Sequence, residues 1–328
     1  MSDDARWMAA AAALGQRGRG RTAPNPPVGC VIVSAGRVVG RGWTQPGGRP
    51  HAEAMALAQA GPAARGATAY VTLEPCAHVS PRGPACADLL IAAGVARVVA
   101  ALRDPDPRTD GRGLARLAAA GIAAASGPGA AEAARTMAGF LTRRRLGRPH
   151  VTLKLGRSLD GRIALADGTS RWITGPEARA HAHLERSRHE AILVGRATLE
   201  ADDPRLDVRL PGLAARSPRR LVLSAQAIDR PGWRRLAAPA DIATLDGVDH
   251  LMVEGGAGAA AAFLAADLVD RLLLYRAPIL IGAGRPAIGD IGLADLAAAH
   301  GRWRLADART LGSDACEVYE RGPCSPAS

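Results

Sequence analysis

Three short segments of this 328-residue chain carry side chains that together could hold a metal ion and move a proton. His51-Ala52-Glu53 opens a run with helical spacing. Glu74-Pro75-Cys76 follows a β-prone run at Thr68–Leu73, and Cys86 opens the next helical run. One imidazole and two thiolates are three ligands, and a catalytic zinc site takes three protein ligands and leaves a fourth position for water. Zinc in such a site brings the pKa of its water down to about 7. Glu53 sits two residues from His51 at a helix start, so it can reach that water without ligating the metal and serve as proton shuttle. The competing reading of the same residues is a helix-capping histidine and two buried thiols. The insert between the cysteines, residues 77–85, carries His78, Ser80 and Arg82. Loops beside a site are natural places for substrate contacts, so His78 is expected at a base and Arg82 at a phosphate.

A second set of residues lies in the other half of the chain. It runs through Lys154-Leu155-Gly156, Ser170-Arg171-Trp172, Gly195-Arg196-Ala197-Thr198, Asp202-Asp203-Pro204 and Val253-Glu254-Gly255-Gly256. Glycines between a strand and a helix let backbone amides approach a pyrophosphate at the helix N-terminus. Gly255-Gly256, ahead of an alanine-rich helical run, fits that use. No Gly-x-Gly-x-x-Gly follows a first strand, so a Rossmann domain is not indicated. Arg186 and Arg209 suit phosphate, which guanidinium groups bind bidentately. Lys154 is the single lysine among 42 basic residues. A position that keeps an ammonium in so arginine-rich a chain points to a need for a compact charge.

The elements that must position these groups alternate between helix and strand. In the first half, residues 4–17 read as a helix, Val28–Ser34 and Arg37–Gly42 as strands around a turn, and Ala52–Ala60 as a helix ended by Gly61-Pro62. Thr68–Leu73 and Arg97–Ala101 follow as strands, and Cys86–Ala93 and Leu114–Ala120 as helices. The basic stretch Thr142–Pro149 carries Gly147 and Pro149 ahead of a strand, and the domain boundary is expected there, which divides the chain into domains 1–146 and 147–328. In the second half, His150–Leu155, Ala191–Val194, Arg220–Leu223, His250–Val253 and Arg271–Tyr275 read as strands. Pro176–Arg188 and Ala257–Ala266 read as helices, and Arg302–Tyr319 as strands closing the sheet. Both halves are therefore expected to be α/β.

Composition narrows the function classes. Hydrophobic residues make up 48% and charged residues 22%, which excludes a disordered chain. No apolar run reaches the roughly 18–20 residues of a membrane span. The five cysteines are odd in number, and no basic stretch precedes the first apolar run, so a cytoplasmic protein without a disulfide framework is expected. The net charge of +11 raises the question of nucleic acid, but aromatic residues are only 3%, which leaves few platforms for stacked bases. Phosphate-bearing small ligands are the expected partners, with neither nucleic acid nor membrane.

His-x-Glu followed by Pro-Cys and a further Cys is the pattern of zinc-dependent base deaminases. The resemblance becomes specific at Thr22-Ala23-Pro24-Asn25-Pro26-Pro27-Val28-Gly29-Cys30, His51-Ala52-Glu53 and Glu74-Pro75-Cys76-Ala77-His78. These segments resemble the deaminase half of the RibD family, bifunctional deaminase–reductases of riboflavin biosynthesis, and the second-half segments resemble its reductase half. The resemblance implies a cytidine-deaminase-like three-layer domain followed by a dihydrofolate-reductase-like α/β domain, and a homo-oligomer. It implies zinc on His51, Cys76 and Cys86, proton transfer by Glu53, and a base pocket near Asn25. It also implies NADPH near Gly156, Trp172, Thr198, Asp202 and Gly256. Substrate would lie near Lys154, Ser170, Arg186, Leu206, Arg209 and Glu254. The implied reactions are hydrolytic removal of the 2-amino group of 2,5-diamino-6-ribosylamino-4(3H)-pyrimidinone 5′-phosphate and reduction of the ribosyl chain of 5-amino-6-(5-phosphoribosylamino)uracil to ribityl. This chain departs from the family pattern in three places. Its cysteine loop is one residue longer and lacks a threonine, Ser224 stands where the family has Asp, and the stretch from Ser224 to Glu254 is short, which is expected to trim a strand and a helix.

Two classes of alternative remain open from sequence. One is a deaminase acting on another nucleotide or an RNA base, or one with a degenerate reductase domain. The other is a nucleic-acid-binding protein with a structural zinc, which would need a fourth ligand such as Cys30.

Overall fold

Alternating apolar strands and alanine-rich helices build an α/β layering in each half of the chain. The computed structural model describes residues 3–78 and 80–322 and falls into two compact units that part between Gly147 and Arg148.

The first unit contains helices α1 (Asp3–Gly15), α2 (Ala52–Ala60), α3 (Cys86–Ala93), α4 (Arg112–Ala119), α5 (Ala130–Thr136) and α6 (Ala138–Leu146). Its strands are β1 (Gly29–Ser34), β2 (Arg37–Trp43), β3 (Thr68–Val71), β4 (Arg97–Ala100) and β5 (Ala123–Ser126). They form one sheet in the order β2-β1-β3-β4-β5. β1 runs antiparallel to both neighbours, while β3, β4 and β5 are parallel. Period-two alternation along β1 then sorts the layers. Gly29 meets the backbone of α1, whereas Cys30 pairs with Gly42, which meets the backbone of α2. Helices α1 and α2 therefore cover opposite faces of the sheet.

Two glycines of β2 set how closely α2 approaches. A Cβ on Gly42 would stand 2.0 Å from the Ala52 carbonyl oxygen, and one on Gly40 would stand 2.2 Å from that of Ala56. Any side chain at either position would push back the helix that begins with His51 and Glu53.

The second unit holds β6 (His150–Arg157), β7 (Arg162–Ala164), α7 (Pro176–Arg186), β8 (Ala191–Gly195), α8 (Arg196–Asp202), β9 (Arg219–Leu223) and β10 (Trp233–Leu236). It continues with β11 (His250–Glu254), α9 (Ala257–Ala265), β12 (Arg271–Arg276), β13 (Arg285–Pro286), β14 (Trp303–Leu311) and β15 (Asp314–Arg321). The main sheet has the order β10-β9-β8-β11-β6-β12-β15-β14, and β7 pairs separately with β13. All its pairings from β10 to β12 are parallel, and β15 and β14 add an antiparallel hairpin. Leu193 and Leu251 point into one core and Ile192 and Met252 into the other, so the central strands are apolar on both faces.

Most of the basic stretch Thr142–Pro149 is helical, since α6 runs to Leu146 and Gly147 caps it at φ 68°, and the two compact units part within the stretch, after Gly147. Arg143, Arg144 and Arg145 form the last turn of α6, where cations favour the helix C-terminus. Between Ser224 and Glu254 the chain keeps a strand, β10, and has only a 3-10 turn, Pro239–Thr244, before β11.

Replacing Gly42 by alanine should cost about 1–3 kcal/mol, the usual penalty of overpacking. Chemical unfolding would measure this, and the metal content of the purified variant should fall with it.

Candidate functional site

Two helix starts and one loop meet at the metal-ligand trio. His51 is the N-cap of α2, with extended backbone at φ −72° and ψ 164°. Cys86 is the first residue of α3. Cys76 lies in the loop after β3, and α3 holds it through two backbone bonds: the Cys86 amide donates to Cys76 Sγ at 3.3 Å, and the Ala87 amide donates to the Cys76 carbonyl at 3.2 Å. His51 Nδ1 stands 3.3 Å from Cys86 Sγ and 3.7 Å from Cys76 Sγ, and the three ligand atoms lie within 4.8 Å of one another. Tetrahedral zinc with bonds of about 2.0 Å to nitrogen and 2.3 Å to sulfur sets its ligand atoms about 3.5 Å apart. The trio matches that spacing, and the donor set is one zinc favours. The sulfur of Cys76 is also prepared as a thiolate. Hydrogen bonds from the Cys86 thiol and from His51 bring it down to about 4, against the opposing effect of burial. Cys30 is buried in β1 and does not join the group, so the described residues offer three ligands and no fourth from His, Cys, Asp or Glu.

Glu53 is buried in the first turn of α2, and burial pushes its carboxyl up to about 7. A divalent cation beside it acts in the opposite direction. The Asn25 side-chain amide donates to the Gly48 carbonyl at 2.9 Å and lies 2.9 Å from His51 Nε2, which fixes the imidazole from behind. These groups line a cavity of about 280 Å³ with His78, Ser80 and Arg82. His78 Nδ1 is 3.3 Å from the Thr109 hydroxyl, and Arg82 donates to the Gly47 carbonyl at 2.6 Å.

Sequence reading missed four parts of this cavity. Glu74 is buried and accepts backbone hydrogen bonds from Asp104, Gly111, Gly113 and Leu114 at 2.9–3.2 Å. It ties the metal loop to the start of α4, so closely that a Cβ on Gly113 would stand 1.9 Å from the Pro75 oxygen. Asp104 also lines the cavity, and burial pushes its carboxyl up to about 6. Asp106 accepts both arms of Arg108 at 2.6 and 2.9 Å, with Arg144 at 3.5 Å. Arg49 is a further wall residue. The Glu74-Pro75 pair before Cys76 was visible in the sequence, but its amide donors lie 30–40 residues away and carry no local signal.

The second unit holds a cavity of about 660 Å³ at the ends of β6, β8, β9 and β11, and all the cofactor and substrate residues expected from the second half line it. Gly156, Trp172, Thr198, Asp202 and Gly256 are among its walls, as are Lys154, Ser170, Arg186, Leu206, Arg209 and Glu254. Gly255 and Gly256 take φ of 93° and 75°, which favours glycine, and a Cβ on Gly256 would stand 2.7 Å from the Thr198 hydroxyl. Backbone thus lies open to a ligand at the start of α9, as a dinucleotide requires. The Arg179 guanidinium covers the exposed Trp172 ring at 4.7 Å.

At one side of this cavity Glu254 is held between two cations. Lys154 Nζ donates at 3.1 Å, and Arg186 donates through Nε and Nη2, both at 2.8 Å. The fork of Arg186, expected on a phosphate, is therefore turned onto Glu254, and its third nitrogen donates to the Asp207 carbonyl at 3.0 Å. Arg209 is exposed and pairs with Asp207 at 2.8 Å. Burial alone would raise the Glu254 carboxyl, but Lys154 and Arg186 outweigh it and hold it well below the ordinary value of 4.5. A carboxylate lowered in the folded state stabilises the fold above its ordinary range and loses that contribution as pH falls.

Comparison with known proteins agrees with this geometry. Residues 1–102 match the cytidine and deoxycytidylate deaminase zinc-binding region, and residues 149–245 and 235–316 match the RibD C-terminal domain. The chain is similar to the riboflavin biosynthesis protein RibD of Escherichia coli strain K12, at 43% identity over 95% of this chain and 98% of that protein. It is also similar to RibD of Mycobacterium tuberculosis strain H37Rv, at 42% over 90% and 91%. Among solved structures, RibD of Acinetobacter baumannii superposes with a TM-score of 0.85 at 36% identity, covering 98% of this chain and 99% of that one. A Thermotoga maritima protein, titled as a diaminohydroxyphosphoribosylaminopyrimidine deaminase/5-amino-6-(5-phosphoribosylamino)uracil reductase, does so with 0.85 at 30%, covering 97% and 98%.

Two outcomes are expected. Glu53→Gln should keep its zinc by elemental analysis while ammonia release falls about 100-fold or more, the ordinary size of a general acid–base contribution. Glu254→Gln leaves two buried cations without their counter-charge and should destabilise the protein at pH 7 by about 3–5 kcal/mol. Urea unfolding from pH 7 to pH 3 should also show a weaker loss of stability below pH 4.5 than in the parent chain.

Proposed function

The chain belongs to the RibD family, the bifunctional deaminase–reductases of riboflavin biosynthesis, and from that premise we propose how its two cavities divide the two reactions. It is an enzyme with zinc and NADPH as cofactors, a cytidine-deaminase-like unit and a dihydrofolate-reductase-like unit. The residue roles given next are our reading of the sites.

In the first cavity His51, Cys76 and Cys86 hold zinc, which supplies the Lewis acidity that makes water a nucleophile at neutral pH. The substrate is 2,5-diamino-6-ribosylamino-4(3H)-pyrimidinone 5′-phosphate. Water adds at its 2-amino carbon, the carbon–nitrogen bond breaks and ammonia leaves. Glu53 takes the proton from the water and hands it to the departing nitrogen. Asn25 and His78 orient the ring. The observation that carries this reading is the convergence of the three ligand atoms within 4.8 Å, with the buried Glu53 alongside.

In the second cavity the deaminated product, 5-amino-6-(5-phosphoribosylamino)uracil, is reduced at C1′ of its opened ribose. NADPH supplies the hydride when bound, and the protein supplies position and electrostatics. Gly156, Trp172, Thr198, Asp202 and Gly256 hold the cofactor. Ser170, Leu206 and Arg209 hold the substrate. Glu254 and Arg186 fix the Lys154 ammonium, which gives a proton to the reduced side chain.

We also read the chain as a cytoplasmic homo-oligomer that binds neither nucleic acid nor membrane. In support, the four described cysteines are free and buried, and no described helix is long and apolar enough to cross a membrane. The second unit exposes Leu280 at 75%, Leu296 at 74% and Leu305 on the edge strand β14, large apolar side chains of the kind that contacts between subunits cover.

With purified protein, a chelator should stop ammonia release from the diaminopyrimidinone phosphate. NADPH oxidation should continue when the deaminated product is supplied directly. Light scattering should give a mass above that of one chain, and Leu280→Glu with Leu296→Glu should lower it.

A further inference from the structure

We propose that Tyr275 is a positioning residue of the reductase cavity: the face of its ring supports the Lys154 ammonium and aims it at the substrate. The inference rests on the reading that Lys154 gives the proton, and adds to it the side chain that keeps the ammonium in place.

The carboxylate of Glu254 does not fix Lys154 alone. Glu254 accepts three hydrogen bonds, and Arg186 makes two of them, both at 2.8 Å. Lys154 makes the third, at 3.1 Å, and among the described residues it is the one hydrogen bond of that ammonium. An ammonium carries three N–H donors on a flexible four-carbon stem, so a single bond leaves its direction open. The second support comes from β12. Period-two alternation puts Lys154 and Gly156 on one face of β6, and the parallel register sets Gly156 beside Tyr275. The lysine leans along its own strand, so that a Cβ on Gly156 would stand 4.0 Å from Nζ. There the ammonium lies over the Tyr275 ring, 5.6 Å from its centroid.

The ring is itself held. Tyr275 is buried, and its hydroxyl lies 2.7 Å from Nδ1 of His181 on α7, the helix that also carries Arg186. Burial pushes the Tyr275 hydroxyl up and the His181 imidazole down, so both partners of that bond are neutral at pH 7. An aromatic face attracts a cation through its quadrupole, and more strongly where water is excluded. It differs from a second carboxylate in one respect. It offers no basic lone pair to take the proton, so the remaining N–H groups of Lys154 stay available to a ligand. Glu254 supplies the counter-charge, and Tyr275 supplies direction without competing for the proton that the reduction needs.

Two substitutions separate the ring face from the hydroxyl. Tyr275→Phe keeps the face and loses the bond to His181, and Tyr275→Leu removes both. The zinc-loaded full chain is supplied with NADPH and the deaminated product. Tyr275→Leu should then lower kcat about 10-fold or more with KM for both ligands unchanged, while Tyr275→Phe should stay within about 3-fold of the parent. A second readout is independent of activity. Lys154 is the one lysine of the chain, so protein made with lysine isotope-labelled at Cε gives a single lysine signal in NMR. Its Hε protons should lie upfield of free lysine, shifted by the ring, in the parent and in Tyr275→Phe, and should return to the free position in Tyr275→Leu. A parent signal at the free-lysine position overturns the proposal, whether or not Tyr275→Leu folds. Equal kcat in the two variants also overturns it, since a shared loss belongs to the hydroxyl and a shared retention leaves the ring without a role. Lys154→Gln tests the premise. NADPH oxidation at the parent rate in that variant overturns the proton-donor reading and the positioning role with it. A slow Lys154→Gln beside a Tyr275→Leu as fast as Tyr275→Phe overturns the positioning role alone.

Discussion

The deaminase half depends on two helices beginning at the same point in space. A helix start presents backbone amides and a partial positive charge, and here α2 and α3 bring that polarity to a loop thiolate. The first amide of α3 donates to Cys76 Sγ, so the fold stabilises the anionic ligand before any metal arrives. The glycines of β2 let α2 descend far enough for His51 to reach the sulfurs, and Glu74 fixes the metal loop against α4. Each of these contacts is a short-range packing or hydrogen-bond constraint. Together they account for ligand atoms meeting at zinc-like spacing from positions as far apart in sequence as 51 and 86.

The reductase half solves a different electrostatic problem. Its cavity carries several cations to receive anionic ligands, and an excess of buried positive charge would destabilise the sheet ends. Glu254, at the end of β11, holds Lys154 of the adjacent β6 and Arg186 of α7 in one buried network. A buried charge is tolerated when paired and hydrogen-bonded, and this one accepts three hydrogen bonds from two cations. The network also explains the single lysine. A slim ammonium fits beside a carboxylate whose outer edge is already taken by a guanidinium, and a second planar fork would have to share it.

What the sequence displayed followed from how local each cause was. Helices α2 and α3 were legible to the residue, because their starts carry the functional side chains and their ends carry Gly61 and Gly94. The ligand trio was legible because residue type and order suffice for it. Strand β5, Ala-Ala-Ala-Ser, has no strand-like composition and forms only as the partner of β4. Helix α6 was not legible, because three successive arginines carry no apolar periodicity and mark a helix C-terminus only in the folded chain. Arg186 was expected on a ligand, and only the tertiary fold shows its fork on Glu254. Arg49 is one arginine among 41, and nothing near it in sequence separates it from the rest. Only the folded chain brings Gly83 of the cysteine loop against its guanidinium.

The account stands on the coordination of the bound metal, and X-ray absorption at the zinc edge of the loaded protein measures that directly. It should give two sulfur neighbours at about 2.3 Å and two lighter neighbours, nitrogen and oxygen, at about 2.0–2.1 Å. The lighter pair would be His51 and a solvent oxygen, and replacing Cys76 or Cys86 by serine should remove one sulfur. Three sulfurs, or a fourth ligand traced to a protein side chain such as Cys30, would close the position that the hydrolysis needs and contradict the account.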